Sequence, residues 1–494
     1  EEVDFVVVGA GTAGSIVAGR LANTKEQWKV ALLEAGGPYP TGTMIPGTYF
    51  SYTKPDVAIN WNLPLEPETT SCLGHKNGQC RIPRGRVLGG TGVLHGMMYM
   101  RGNPYDYDKW AKEGSKGWSY EEEDHGTSGP VTISQFRHHP DIAWSLLQAA
   151  SQLGFVVGHD LNGKSQIGFT LAQATTHNGS RTSLYNAYIV PLLGKAKNLV
   201  VTKILMNGTR AIGVEFIKNK KTYRVYARKE VIISAGALHS PHLLLLSGIG
   251  PQQHLNQMKN HISFSVKFKL KKNFADVLNE DGLREYLNKR EGPLSSTGLS
   301  QGFLANCSHG DKNKKATYIT ITPALLRPKS KGSVSLRSSN PYDTPMIKAN
   351  YLASEEDMET LLDGIRLALR MSNTTALKNM MEIDIPPTSH CKDAFGSDAY
   401  WRCAIRYWNN PENHQLRVHG LKRLRVIDAS IMPHVVSGNI NGPTMMIAER
   451  GAEFIKKQMG LLVKTTNTVL YLRSKSEYSL LPVENDIAYV RIII

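Results

Sequence analysis

Long apolar runs are missing from this chain of 494 residues. None reaches the roughly 18 residues expected of a membrane-spanning helix, so no span is expected. Dense charge of one sign is missing too. The formal net charge is +16, but Lys and Arg are spread along the chain, with only small groups at Lys218 to Lys221 and Lys312 to Lys315. This excess reads as a solvated basic face, not a nucleic-acid surface. Cysteine is scarce: Cys72, Cys80, Cys307, Cys391 and Cys403. Their spacing does not resemble a zinc site, and no metal centre is expected. At 41% hydrophobic and 20% charged residues, nothing suggests disorder. The length points to a handful of domains or fewer. The chain opens at Glu1 with no signal peptide, which is compatible with the removal of one.

The first forty residues are the most informative stretch. Phe5 to Val8 is a short β-branched run, followed at once by Gly9-Ala10-Gly11-Thr12-Ala13-Gly14 and a helix-like stretch from Ser15 to Leu21. A G-x-G-x-x-G turn between strand and helix lets the backbone approach a pyrophosphate, which the helix N-terminus then attracts. Val30 to Leu33 reads as the second strand. It ends in Glu34, placed to accept hydrogen bonds from an adenosine ribose.

Three longer blocks carry a resemblance. Pro83-Arg84-Gly85-Arg86-Val87-Leu88-Gly89-Gly90-Thr91-Gly92-Val93-Leu94-His95-Gly96-Met97-Met98 runs on to Trp110. Gly236-Ala237-Leu238-His239-Ser240-Pro241-His242 runs on to Gly250. Leu424 to Pro433 is followed by Ser437-Gly438-Asn439-Ile440-Asn441-Gly442-Pro443-Thr444. In this order the blocks resemble the glucose–methanol–choline (GMC) flavoprotein oxidoreductases, particularly the insect glucose dehydrogenase-like members, over most of residues 3 to 458. The resemblance implies an α/β fold: a Rossmann-like FAD-binding domain interleaved with an α+β substrate domain of antiparallel sheet and helices. Residues 1–255 would be mainly FAD-binding and 256–410 mainly substrate domain. Residues 411–458 would return to the FAD domain, leaving 459–494 unassigned.

The same resemblance implies oxidation of an alcohol or sugar CH–OH group by hydride transfer to FAD, with oxygen or a quinone as electron acceptor. FAD contacts are expected at Gly9, Gly11, Thr12, Ala13, Gly14, Glu34, Ala35, Gly90, Thr91, His95, Gly96, Met98 and Val201. Ser234, Ala235, Gly236, Asp428, Ala429, Asn441 and Thr444 complete that set. Some relatives bind FAD covalently through a histidine at the place of Leu94, so noncovalent FAD is expected here. Asn439 falls at or near one of two polar positions above the flavin. An amide holds a substrate oxygen but is no base near neutral pH.

The chain departs from the family in four places, each between well-matched flanks: after Glu123, between Leu199 and Val200, within residues 264–275, and after Trp408. The last is the most serious, because the family's H-P-x-G-T motif, with its histidine, is absent. The expectation is that segments of the full product are left out of this sequence, and the base with them. His95, a cofactor contact by resemblance, is the weaker candidate base. His414, His419 and His434 read as loop or packing residues. The alternative function is a catalytically silent relative with a binding or structural role.

Cys72–Cys80 and Cys391–Cys403 are plausible disulfides. N-x-S/T sequons stand at Asn178, Asn207, Asn306 and Asn373. Together they favour a secreted protein. The tail from Leu461 resembles nothing in the family. Its apolar, β-prone end, Ile487 to Ile494, reads as a paired strand or an interface.

Overall fold

The computed structural model describes residues 1–120, 129–163, 165–192, 200–250, 255–271, 279–297, 318–384, 390–411, 421–461 and 490–493. Asn306, Cys307, His414 and His419 lie outside the described residues.

The first sheet is built from β1 (Glu2–Val8), β2 (Val30–Leu33), β3 (Val200–Asn207), β4 (Arg210–Lys218) and β5 (Lys221–Ile233). Its order is β2-β1-β5-β4-β3, and the short strand Leu424–Val426 pairs with the C-terminal end of β5. β1 pairs in parallel with β2 and β5, while β3, β4 and β5 form an antiparallel meander. β1 is buried on both faces, with Phe5, Val6 and Val7 fully inaccessible, which is why it reads as an unbroken apolar run. The basic group Lys218 to Lys221 is the tight turn between β4 and β5. Lys218 pairs with Lys221 across it, and Asn219 and Lys220 have φ of 50° and 63°.

Four helices are central to the architecture: α1 (Thr12–Ala22), α2 (Gly236–Leu246), α3 (Glu355–Ser372) and α4 (Asn441–Gln458). α1 packs along α4, and Arg20 and Tyr188 both hydrogen-bond Glu449 of α4. The apolar face of α4 turns Ile447, Ala448 and Ile455 into the same core as Ile16 and Val17.

A second sheet contains Ile262–Ser263, Val266–Leu270, Tyr318–Leu325, Met381–Ile383 and Asn410–Pro411, with α3 against it. α3 is amphipathic: Met358, Leu361, Leu362 and Ile365, at helical spacing, are buried in the core. The tail ends in Val490–Ile493, which pairs antiparallel with Thr322–Leu325 of this sheet. Parts of the N-terminal region also pack here: Leu63, Leu65 and Ile82, and Ile142 and Leu146 of the helix Asp141–Gln152. The cofactor-side and substrate-side cores therefore interleave more finely than a single boundary near residue 255 suggests. Cys72–Cys80 and Cys391–Cys403 are both bonded, with Cα separations of 5.6 and 5.7 Å. Among the described residues, no helix is long and apolar enough to cross a membrane.

Candidate functional site: a cavity between two helix N-termini

The glycine turn after β1 is fixed by close approach. Gly9 has φ of +99°, and a Cβ there would lie 2.4 Å from the Ser234 carbonyl oxygen. A Cβ on Gly14 would lie 1.8 Å from the Gly9 carbonyl oxygen. Gly14 sits behind the cavity wall, where it lets α1 close on β1. The other residues expected around the cofactor line one cavity.

Two helices open into that cavity. Neither α1 nor α4 has a side-chain N-cap or an acidic residue in its first turn. Their first-turn N–H groups and partial positive charge are left for an anion. The Thr12 hydroxyl of α1 donates to Asn441 Oδ1 of α4 at 2.9 Å and ties the two ends together. The third helix end is treated differently. Asp428 Oδ2 accepts from the Gly236 backbone N–H at 2.8 Å and the Ser240 hydroxyl at 2.5 Å. Its Oδ1 accepts from the N–H and hydroxyl of Ser430. Asp428 thus lines the cavity as a clamp that joins the third block to α2.

Glu34 is buried at the end of β2. Its carboxylate accepts from the Ala10 N–H at 2.8 Å and the Gly36 N–H at 2.9 Å. Burial pushes its pKa up to about 7, although those backbone donors pull the other way. The glycine segment of the first long block lies across from it. A Cβ on Gly90 would lie 2.7 Å from the Gly11 Cα, so the two glycine turns are in backbone contact. Thr91 accepts the Gly85 N–H, while Gly96, Met98, Ala35, Val201, Ala235 and Ala429 give an apolar or backbone lining. The Thr444 hydroxyl is turned inward, donating to the Ile440 carbonyl. Asn439 lines the cavity in the loop that leads into α4.

Two buried side-chain nitrogens of lining residues are without a hydrogen-bond partner: His95 Nε2 and Asn441 Nδ2. Buried polar atoms in native proteins are nearly all satisfied, so orphans at a cavity mark where a ligand's polar atoms belong. Together with two uncapped helix ends and a ribose-type carboxylate, they fit a dinucleotide.

Sequence reasoning missed Trp61, Arg84, His239 and His242, which also line the cavity. The two histidines are one helical turn apart on α2, a spacing that puts them on one face. Trp61 packs on His239 with ring centroids 4.7 Å apart. Burial lowers His239 to about 3 and His242 to about 4. Arg84 is lowered to about 10 by burial. Trp61 stands in an irregular stretch with no periodicity to betray it. His434 lies elsewhere, its Nε2 2.6 Å from Glu113 and its carbonyl accepting the Trp110 indole N–H.

A Rossmann-type sheet, a dinucleotide cavity at the carboxyl ends of its strands and an antiparallel sheet with helices beside it define a two-domain flavoprotein of the GMC class. The chain belongs to the GMC oxidoreductase family: the family's N-terminal model matches residues 3–276 and its C-terminal model residues 328–416 and 412–448. It is 38% identical to glucose dehydrogenase (FAD, quinone) of Drosophila melanogaster, covering 94% of this chain and 88% of that protein. It is 31% identical to the mitochondrial choline dehydrogenase of Homo sapiens, covering 93% and 91%. Among solved structures, a formate oxidase from Aspergillus oryzae superposes with a TM-score of 0.83 at 22% identity, covering 93% of this chain and 99% of that one. The alignment with the fly protein runs over 553 positions, more than the 494 residues here, so that relative carries segments without a counterpart in this sequence.

Proposed function

We propose that this protein is a secreted, FAD-dependent oxidoreductase that oxidises an alcohol or sugar CH–OH group, with FAD held noncovalently. Bound FAD supplies a flat hydride acceptor. The observation that carries the reading is the cavity that joins all three motif blocks at two uncapped helix ends, with Glu34 beside them. Leu94, at the place where some relatives attach FAD through histidine, is an apolar side chain that is 1% exposed. Asn439 holds the substrate oxygen as negative charge develops on it. A quinone or oxygen takes the electrons, as the name of the fly relative suggests for a quinone.

One observation favours a second reading. The chain lacks the H-P-x-G-T histidine, and among the described residues burial lowers the histidines lining the cavity to about 3, 3 and 4, which makes them weak bases for an alcohol proton. A protein that binds FAD without turning over an alcohol fits that set. Anaerobic mixing with a panel of alcohols and sugars decides between them. Bleaching of the flavin absorption supports the enzyme; an unreduced flavin with every alcohol, in a full-length product that also lacks the histidine, supports the silent relative. Heat denaturation should release the yellow colour, and colour that stays with the precipitate overturns noncovalent binding.

Secretion and glycosylation rest on the two disulfides and on sequons at exposed sites. Asn207 ends β3 at a hairpin turn, Asn373 caps the C-terminus of α3, and Asn178 is in a tight turn. A mass shift on enzymatic deglycosylation of protein made through a secretory pathway tests this; an unmodified chain at all sequons overturns the glycan.

A further inference from the structure

The two ring nitrogens of His95 are in opposite situations. Nδ1 accepts the Met97 backbone N–H at 2.8 Å. An amide N–H only donates, so Nδ1 keeps its lone pair and the neutral ring carries its proton on Nε2. Nε2 is buried without a partner, and the residue forms part of the cavity wall. The ring therefore carries an unused donor and no free acceptor, within a residue of the cavity wall.

The loop that carries His95 is held from behind. One guanidinium nitrogen of Arg181 donates to the Gly92 carbonyl at 3.2 Å and to the His95 carbonyl at 2.7 Å. Arg181 Nε donates to the Thr43 carbonyl at 2.8 Å. Arg181 is 3% exposed, and these hydrogen-bond partners are carbonyls, not carboxylates. Its charge is therefore not neutralised by them and acts on its surroundings.

We propose that His95 serves the cofactor as a fixed Nε2–H donor and never as a base, and that Arg181 is the positioning residue that fixes its loop. The proposal rests on the FAD reading above. A proton could enter the ring only at Nδ1, where it would face the Met97 N–H. Burial, and then the Arg181 charge, also lower the pKa of His95 to about 3. Among the described residues, Arg181 is the charged group whose field reaches the ring, and Tyr49 is the titratable group facing Arg181. An Asn amide in this place would also offer an N–H, so H95N keeps a donor.

Two measurements on the whole chain test this. The first titrates apoprotein with FAD and follows the quenching of flavin fluorescence. H95A is expected to weaken binding about tenfold, the usual cost of one buried hydrogen bond, while H95N stays close to wild type. If H95A does not fold, H95M is the second non-donor. Wild-type affinity in a folded non-donor overturns the donor role. The second measurement is hydrogen–deuterium exchange at the histidine C2 position, read by peptide mass spectrometry, which titrates each imidazole separately. His95 is expected to show no midpoint between about pH 5 and 9. R181M removes only the smaller of the two causes, so His95 should stay silent there too; instead R181M should weaken FAD binding as H95A does, with R181K close to wild type. A wild-type midpoint inside that range overturns the neutral ring. A folded R181M that binds FAD like wild type, or an H95A/R181M pair whose losses simply add, reduces Arg181 to a packing residue and overturns its part. Wild-type protein that takes no FAD overturns the cofactor reading and the donor role with it, while the exchange measurement on apoprotein still decides the charge state.

Discussion

Two glycine turns meet in the cavity, and they are held in different ways. The turn at Gly9 to Gly14 is local: it is fixed by β1 before it, α1 after it and the Ser234 carbonyl beside it. The turn at Gly89 to His95 is not followed by a long helix. A buried arginine from residue 181 holds its carbonyls, and Gly11 bears on it from the front. The first turn can be written as a short motif because its neighbours in space are mostly its neighbours in sequence. The second depends on a residue almost ninety positions away. The difference separates what backbone geometry secures alone from what a buried cation must secure.

The sharpest break in the first turn is Gly14→Ala. Its Cβ would meet the Gly9 carbonyl oxygen at 1.8 Å, with the Ser234 Cβ 3.2 Å away. FAD binding should be lost, and thermal unfolding should show a destabilisation above about 3 kcal/mol, at the upper end for overpacking. Retained FAD affinity would mean that α1 shifts freely on β1.

Asn439→Ala changes a residue of the same cavity wall. If the protein is an enzyme, stopped-flow reduction by alcohol should slow by ~10²–10³, the usual cost of one oxyanion donor. Asn439→His should retain part of the rate, and FAD should stay bound in both. Equal rates in all three proteins would remove Asn439 from the chemistry.

Arg181→Met breaks the second turn. It leaves the Gly92, His95 and Thr43 carbonyls without that donor. The expected loss is about 2–3 kcal/mol in denaturant unfolding, since burying an unsatisfied polar group costs about 1–3 kcal/mol and the loop can relax part of the way. A change within 0.5 kcal/mol or so, the range usual for surface substitutions, would show that the turn holds itself.

Acidity should distinguish the residues behind the turns. His95, His239 and His242 are lowered from 6.5 to about 3, 3 and 4. Below pH about 6.5 the unfolded chain takes these protons and the folded apoprotein does not, so stability falls as pH drops, by up to ~1.4 kcal/mol per unit for each histidine. Glu34 runs the other way. Its pKa is raised from 4.5 to about 7, so its contribution is present below 4.5 and lost as pH rises toward 7. Between those values it offsets one of the three histidines. Glu34→Gln should therefore steepen the acid loss in that window, and chemical unfolding across pH would show an unchanged slope if Glu34 is not protonated there.

The elements whose determinants are local were legible in the sequence alone. β1, β2 and α1 follow from period and composition, and the glycine motif with Glu34 follows from spacing, because each is read from residues within about twenty positions. The disulfides Cys72–Cys80 and Cys391–Cys403 belong here too, since both loops are short. The family blocks add Ser234 to Gly236, Asp428 and Asn439 to Thr444, but the sequence could not say how they join. It took the folded chain to show that Asp428 commits its carboxylate to Gly236, Ser240 and Ser430, and that Asn441 meets Thr12. Folding also brought Trp61 and His239 together and placed the end of the tail beside Thr322 to Leu325. The charge state of His95 belongs to the tertiary structure as well. Burial and the field of a distant arginine act through space, and no spacing along the chain records them.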